Sequence, residues 1–407
     1  MHMKKLYLSL MVFMMMSLVV LMGIYPEPAL TAAVRGLSIW WDVLFPSLFP
    51  FFVISEVLLG FGVVHLVGTL LDPFMKPLFR IPGSGGFAAA MGYVSGYPVG
   101  AKLTAKLWEQ KMITREEGER LVAFTTSSDP IFLISAVSVG FFHNPRVGLV
   151  LALAHYGSGL VIGLLMRFHG AKAPASLPNS PVLLQGNRLK TALHAMHQAR
   201  VEHGRPFGIL LTQAIQSSLQ LIIVVGGLVV FFSVFLELWT QAGVLSLLNQ
   251  TLGLLLHLFG IPEQLSSALM GGFFEVTLGA KYAGGAGETI PLLYKAASAA
   301  FILSWGGLSV HAQVASILHS TNLRYLPFMA ARFVHGILAA VVVLVIWEPL
   351  MARSGAAFML PAVSYGMLDG YTHIMTLFCI SAGMALGVMV LIEAVFLIGR
   401  KFREFTR

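Results

Sequence analysis

AAMGYVSGYPVGAK (residues 89–102) and ALMGGFFEVTLGAK (residues 268–281) are the two stretches that decide how this chain folds. Aligned without a gap at an offset of 179 residues, they share Ala, Met-Gly and Gly-Ala-Lys. A second pair follows at nearly the same spacing. AFTTSSDPIFLISAV (123–137) matches AFILSWGGLSVHAQV (300–314) at an offset of 177 residues. Upstream, PSLFPFFVISEVLL and QSSLQLIIVVGGLV agree more loosely. Two blocks at one spacing indicate an internal duplication. Each half has the same order: long helix, interfacial helix, glycine-broken hairpin, polar-interrupted helix.

The surroundings of these blocks are membrane-like. The chain has 407 residues, 57% hydrophobic and 11% charged, with mean hydropathy +0.81. A soluble protein carries about 25% charged residues, so lipid must be the main solvent. A bilayer core needs about 20 apolar residues per helix. Segments 6–24, 45–64, 121–141, 147–166, 208–236 and 326–347 satisfy this, as do 297–318 and 372–398 with polar or glycine interruptions. The apolar stretch after Lys4 and Lys5 is too long for a signal peptide and no small-x-small cleavage site follows it cleanly, so it reads as the first span. Segments 65–80 and 241–259 are amphipathic and predict helices along the interface. Segments 82–107 and 262–294 are glycine-rich and broken, which fits re-entrant hairpins buried in protein.

Charge orients the chain. Lys4, Lys5, Lys76, Arg80, Lys111, Arg115, Arg120, the basic loop 167–205, Arg324 and the tail RKFREFTR fall on one side by span counting. That side is cytoplasmic by the positive-inside rule, which places both termini there. The first hairpin then enters from the cytoplasm and the second from outside, an all-α inverted-repeat transporter fold. The domains are an N-terminal helix (1–27), a first repeat (28–166), a basic cytoplasmic linker (167–205), an inverted second repeat (206–350), and an extracytoplasmic loop, last helix and basic tail (351–407). The linker begins Pro/Ser/Ala-rich and reads as a solvated connection, although its second part could form a helix on a membrane surface. The net charge of +8 is explained by topology. No basic run interleaved with aromatics points to nucleic acid. The single cysteine, Cys379, excludes an intramolecular disulfide and a cysteine-based zinc cluster.

Polar groups in a bilayer are functional by default, and four clusters carry them. In the first hairpin tip, Ser95, Gly96, Tyr97, Pro98 and Gly100 break the helix and Lys102 follows one turn later. An exposed helix N-terminus attracts anions, so this is either an anion clamp or a kink with a snorkelling lysine. In the second tip, Lys281 is the repeat partner of Lys102, and Glu275 and Thr277 precede it. Glu275 is expected to pair with Lys281, the alternative being a coupling proton. The third cluster is Thr125 to Pro130, with Thr126, Ser127, Ser128 and Asp129 inside an apolar helix that Pro130 unwinds. The fourth is its repeat partner, Ser304 to His311, broken at Gly306 and Gly307 and lined by Ser304, Ser309 and His311. His311 is either a satisfied hydrogen-bonding group or a proton carrier. Ser127, Ser128 and Asp129 are expected to face Ser304, Gly306 and Ser309 across a cavity. Neither HExxH, GxSxG nor a P-loop lysine occurs, so the reading is not an enzyme.

The SGYPVGAKL, PSLFPFFVISE and FTTSSDPIF stretches resemble the sporulation integral membrane proteins of the YlbJ type from endospore-forming bacteria, which carry two Gate, or nucleoside-recognition, domains. The resemblance runs from about residue 40 to residue 347. The wider fold looks similar to concentrative nucleoside transporters. The resemblance implies a transporter in the mother-cell membrane around the forespore. It implies dipicolinic acid as the small anionic substrate. No cofactor is expected beyond a coupling H+ or Na+, and the family allows a homodimer. The rival readings are a nucleoside or cation-coupled symporter and a non-transporting assembly factor acting through the 167–205 loop.

Overall fold

Two proline and glycine breaks bend the first third of the chain. The computed structural model describes residues 2–351 except 131, 175, 177–187, 204 and 205. The expected last span (372–398), Cys379, Arg353 and the basic tail lie outside the described residues. Helix α1 (His2–Ile24) is followed after Tyr25 by α2 (Pro26–Ser38), with Pro at its first turn and an axis turned by 107°. A π-helical stretch (Ile39–Leu44) leads into α3 (Phe45–Gly60), and α4 (Val63–Phe79) leaves at 86° through Gly62, whose φ of +76° only glycine adopts freely. The expected straight span 45–64 therefore stops at Gly60. The amphipathic segment 65–80 is the body of α4, ended by Arg80 in the left-handed region.

The two hairpins are built alike. In the first, α5 (Ser84–Ser95) and α6 (Tyr97–Glu109) meet at Gly96, φ +91°. In the second, α12 (Ser266–Phe274) and α13 (Val276–Gly284) meet at Glu275, the position equivalent to Gly96 at the 179-residue offset. The arms pack glycine on glycine. A Cβ on Gly92 would lie 3.2 Å from Gly100 Cα, and one on Gly279 would lie 2.2 Å from Gly272 Cα.

Each hairpin also receives its own half's broken helix. The expected continuous segment 121–141 is instead α7 (Arg115–Thr125), an irregular turn over 126–129, and a π-helix (Phe132–Phe141). Its partner is α14 (Leu292–Trp305) and α15 (Gly307–His319), broken at Gly306 (φ +88°). The Thr125 carbonyl sits where side chains on Gly92 and Gly100 would be, 2.3 and 2.4 Å from those Cβ positions. Ile302, equivalent to Thr125, also lies against its own half's hairpin, but by its side chain, 2.4 Å from a Cβ on Gly272.

Around the broken elements run α8 (Pro145–Met166), α10 (Phe207–Gln241) and α16 (Tyr325–Met351), each long and apolar enough to cross a membrane, as is the broken path Leu292–His319. The amphipathic 241–259 segment forms α11 (Val244–Leu258). One hydrophobic cluster joins the halves, with Val122, Leu133 and Ala154 packed alongside Ala268, Ala299 and Val310. Helix α9 (Arg188–His203) packs on α4, burying Thr191, Ala192 and Ala195 and setting Arg200 over the Phe61 ring at 4.9 Å. The second part of the linker is thus a docked helix, not a solvated loop, because its apolar stripe has a protein face to cover.

Gly100→Ala should lower stability by about 1–3 kcal/mol through overpacking against a backbone oxygen that cannot move aside. The matched control, Gly157→Ala, meets nothing within 4 Å and should leave stability unchanged or slightly raised. Thermal unfolding of the purified protein in detergent compares the two.

Candidate functional site

A hydrogen-bonded knot joins the two breaks, and its centre is a residue the sequence reading passed over. His155 lies in the middle of α8, fully buried. Its Nε2 is 2.8 Å from Ser127 Oγ and accepts the Ser128 N–H at 3.1 Å. A backbone N–H can only donate, so the proton sits on Nδ1. That nitrogen donates to Ser304 Oγ at 2.8 Å. Ser127 and Ser304 are equivalent at the 177-residue offset. One imidazole therefore ties the same residue of both repeats, as two copies about an approximate twofold axis would place them.

The knot continues into α16. The His335 ring stacks on His155 with centroids 5.1 Å apart, and its Nε2–H donates to the His155 carbonyl at 2.8 Å. Its Nδ1 accepts from Arg332 Nη1 at 2.8 Å. Neighbouring side chains close the remaining backbone ends. Tyr97 Oη donates to Leu303 O (2.8 Å) and Tyr156 Oη to Ser128 O (3.1 Å). His311 Nε2 lies 3.1 Å from Trp305 O, and Trp305 Nε1 donates to Phe273 O at 3.0 Å. His311 Nδ1 meets the Tyr325 hydroxyl at 2.6 Å, so both its nitrogens are engaged.

Beside the knot is a narrow cleft of about 50 Å³. Tyr97 and Pro98 of the first tip line it, with Glu275, Val276 and Thr277 of the second, Asp129 of the first break, and Ser309 and Gln313 of the second. Half-helix N-termini converge here: α6, α13, α15 and the π-helix 132–141 all begin at its wall. Two are capped by acids. Asp129 Oδ1 accepts Phe132 N–H at 2.8 Å, and Glu275 Oε2 accepts Leu278 N–H at 2.7 Å. The other two start at Gly96 and Gly306 and have no side-chain cap. The pattern is crossed: Gly96 is equivalent to Glu275, and Asp129 to Gly306. Each repeat contributes one capped and one open helix end.

The structure scatters the expected cationic residues. Lys102 does not reach the cleft. It pairs with Glu56 of α3 at 2.8 Å, and Lys106 holds the other oxygen of that carboxylate. Glu275 caps α13 in place of the expected pairing with Lys281. Lys281 is exposed and lines a separate recess of about 630 Å³ with His143, Gln264, Ser267 and Tyr282. Tyr97, Pro98, Asp129, Glu275, Thr277 and Ser309 come together in the cleft. Ser127, Ser128 and Ser304 are joined by His155 behind it, and Thr126 turns back to Val122 O (2.9 Å). Ser95 is buried in the hairpin, while Gly96, Gly100 and Gly306 shape the backbone. A His-Tyr pair inside an otherwise apolar span was the available signal for His155, together with Arg332 and His335 on the corresponding helix of the second half.

At the far end of α7 a second polar group links the halves. Glu119, fully buried, takes Arg324 in a two-pronged pair (2.8 Å to each oxygen) and His169 at 2.6 Å. Burial pushes the Glu119 carboxyl up, but the Arg324 and His169 hydrogen bonds outweigh it and hold the group below the ordinary carboxylate range. Arg120 fixes the adjoining loops through the carbonyls of Arg80, His169 and Gly170.

Sequence comparison places this arrangement among known proteins. A family profile named Gate and described as nucleoside recognition matches residues 42–155. The sporulation integral membrane protein YlbJ of Bacillus subtilis is 47% identical over 327 residues, covering 80% of this chain and 79% of that one. An uncharacterised protein of Alkalihalophilus pseudofirmus is 30% identical over 113 residues, 28% of this chain and 24% of its own. Among solved structures, CNTnw in an inward-facing substrate-bound state is similar with a TM-score of 0.42 at 12% identity, covering 85% of this chain and 87% of that one.

Removing the knot's centre should cost more than its volume. His155→Ala strands two serine hydroxyls and a backbone N–H in the bundle, each worth about 1–3 kcal/mol, so the protein should fail to purify as a monodisperse species or melt well below wild type. The Glu119 pair has a defined pH signature. A depressed carboxyl stabilises the fold above its unfolded value and loses that contribution as pH falls through its folded value. The stability difference between wild type and Glu119→Gln should be constant above about pH 5 and shrink toward zero below about pH 4, read by thermal unfolding across pH.

Proposed function

The chain belongs to the family of the sporulation integral membrane protein YlbJ, and from that premise we propose that it carries a small organic anion, a dicarboxylate of the dipicolinate kind, across the membrane. The observation that supports this is the pair of open helix ends. The N-termini of α6 and α15, one from each repeat, begin at one cleft without a side-chain cap. Each presents roughly half a positive charge, and in inverted-repeat transporters such ends hold anionic groups near the midplane. Asp129 and Glu275 do not oppose this outright, because each is turned to its own helix end. Their charge is balanced by a coupling proton or sodium ion taken up with the anion. By this reading the protein is a transporter and not an enzyme, resident in the mother-cell membrane around the forespore with both termini cytoplasmic.

One observation favours a second substrate class. The cleft lining includes Asp129, Glu275, Gln313, Thr277 and Ser309 but neither lysine, arginine nor histidine. Such a wall also suits a neutral polar solute such as a nucleoside.

Uptake into proteoliposomes separates the two. Saturable uptake of labelled dipicolinate, not competed by uridine, is the expected result. Uridine uptake without dipicolinate uptake would replace the anion with the nucleoside. Asp129→Asn and Glu275→Gln keep an acceptor for the capped N–H groups but remove the charge. Dipicolinate uptake by the double variant should persist while losing its dependence on a sodium or proton gradient.

A further inference from the structure

Arg332 is fully inside the bundle, and among the described residues no acid pairs with its charge. It projects from α16 with 0% exposure. Nη1 donates to His335 Nδ1 at 2.8 Å and Nη2 reaches Leu303 O at a long 3.4 Å. Nε is buried with no acceptor. Among the described residues no carboxylate forms an ion pair with it. Lys102 and Lys106 share Glu56, whereas Arg120 and Lys295, also without an ion pair among the described residues, are held by backbone carbonyls at 3.0 Å or less, three for Arg120 and one for Lys295; Arg332 has only one such carbonyl, at a long 3.4 Å. A guanidinium stays charged at any physiological pH. Buried without a counter-charge, it is among the most costly groups a membrane bundle can contain.

Its surroundings offset only part of that cost. The imidazoles of His155 and His335 are each satisfied as neutral rings. The Leu303 carbonyl belongs to the last turn of α14, whose C-terminal dipole supplies about half a negative charge. That carbonyl also accepts the Tyr97 hydroxyl at 2.8 Å. Tyr97 forms part of the cleft wall. The guanidinium therefore stands one side chain behind the cleft, sharing an acceptor with the residue that screens it.

We propose that Arg332 is the counter-charge for a carboxylate of the transported anion, engaged when the Tyr97 side chain leaves the Leu303 carbonyl. This rests on the anion reading given above. A carboxylate at that place takes the planar two-pronged geometry that guanidinium offers and ammonium does not, and it satisfies the unpaired Nε–H. The cleft with its open helix ends then receives the substrate, and Arg332 selects it by charge.

The full-length protein in proteoliposomes tests this with two probes, dipicolinate and its uncharged diamide, pyridine-2,6-dicarboxamide, each measured as a competitor of labelled dipicolinate. Arg332→Gln should weaken dipicolinate by about 100-fold and change the diamide by less than about threefold. An equal loss on both probes would mean that Arg332 only closes the end of α14, and would overturn the proposal. Should the Gln variant not fold, Arg332→Lys decides. It keeps the charge and loses the fork, so dipicolinate should weaken by about tenfold with the diamide unchanged; equal weakening of both overturns it. Wild-type protein that takes up no dipicolinate removes the anion reading and this inference together. Wild-type uptake with unaltered selectivity in the Gln variant removes this inference alone.

Discussion

A helix broken inside a bilayer leaves backbone N–H and C=O groups with no water to meet them, and this structure is organised around meeting them. Each unsatisfied group costs several kcal/mol in hydrocarbon. The chain breaks helices at Gly96, Glu275, Gly306 and the turn over 126–129, and other elements supply the missing partners. Tyr97, Tyr156, His311 and Trp305 each bond a backbone carbonyl at or near a break, while His155 accepts the Ser128 N–H. Glycine does the complementary task. Gly92 and Gly100 let the Thr125 carbonyl lie against the first hairpin, where any side chain would collide with it. Remove the breaks and the cleft has no reason to exist; remove the partners and the breaks cannot persist.

The duplication makes this economical, and its imperfections carry the chemistry. Ser127 and Ser304 are equivalent and do the same thing, binding opposite nitrogens of one ring. His155 and Arg332 sit on corresponding helices of the two halves and do not. Nor do the cap positions match: where one half has glycine the other has an acid. A perfectly symmetric lining would place the same kind of end at both positions of each equivalent pair. The crossed pattern makes the members of each pair unlike, and brings two open and two acid-capped ends to one cleft. On the transport reading proposed above, such a site holds a charged group and its counter-ion together, which lowers the cost of carrying either through the midplane.

The sequence showed the frame and missed the knot, for a physical reason. Helix breaks are written locally: Gly96 before Pro98, the Thr-Thr-Ser-Ser-Asp-Pro run, and Gly306 with Gly307 identify themselves by composition. The repeat located their partners without any coordinates. Lys102 and Lys281 follow the breaks along the chain, yet a helix turns its successive residues to different neighbours. Lys102 faces α3 and Glu56, and Lys281 faces an open recess. His155 is remote in sequence from everything it binds in the second half, and an isolated histidine in VLALAHYGSGL reads as one polar residue in an ordinary span. Arg332, the one charged residue of the 326–347 segment, carries no local sign of an acidic partner. Their significance depends on which helix faces which, a tertiary fact that periodicity cannot carry. The same holds for α9, whose docking on α4 turns a basic linker into part of the packed protein.

The halves are fastened unequally along their length. At the centre, two imidazoles, a tyrosine hydroxyl and two serines join them by hydrogen bonds. At the Arg324 end, a buried carboxylate joins them through a guanidinium, and His169 of the linker holds the same carboxylate. The position equivalent to Glu119 in the second half is Ala296, so the opposite end has no matching lock. That end has the recess beside Lys281 instead. A charged lock at one end and an open recess at the other fasten the halves with unequal strength. On the transport reading proposed above, alternating access needs each fastening to be reversible. The Glu119–Arg324 pair is suited to it, because Arg324 stays half-exposed. Water can replace the carboxylate at the guanidinium when the halves part, so breaking the lock exposes one ion to solvent instead of stranding two.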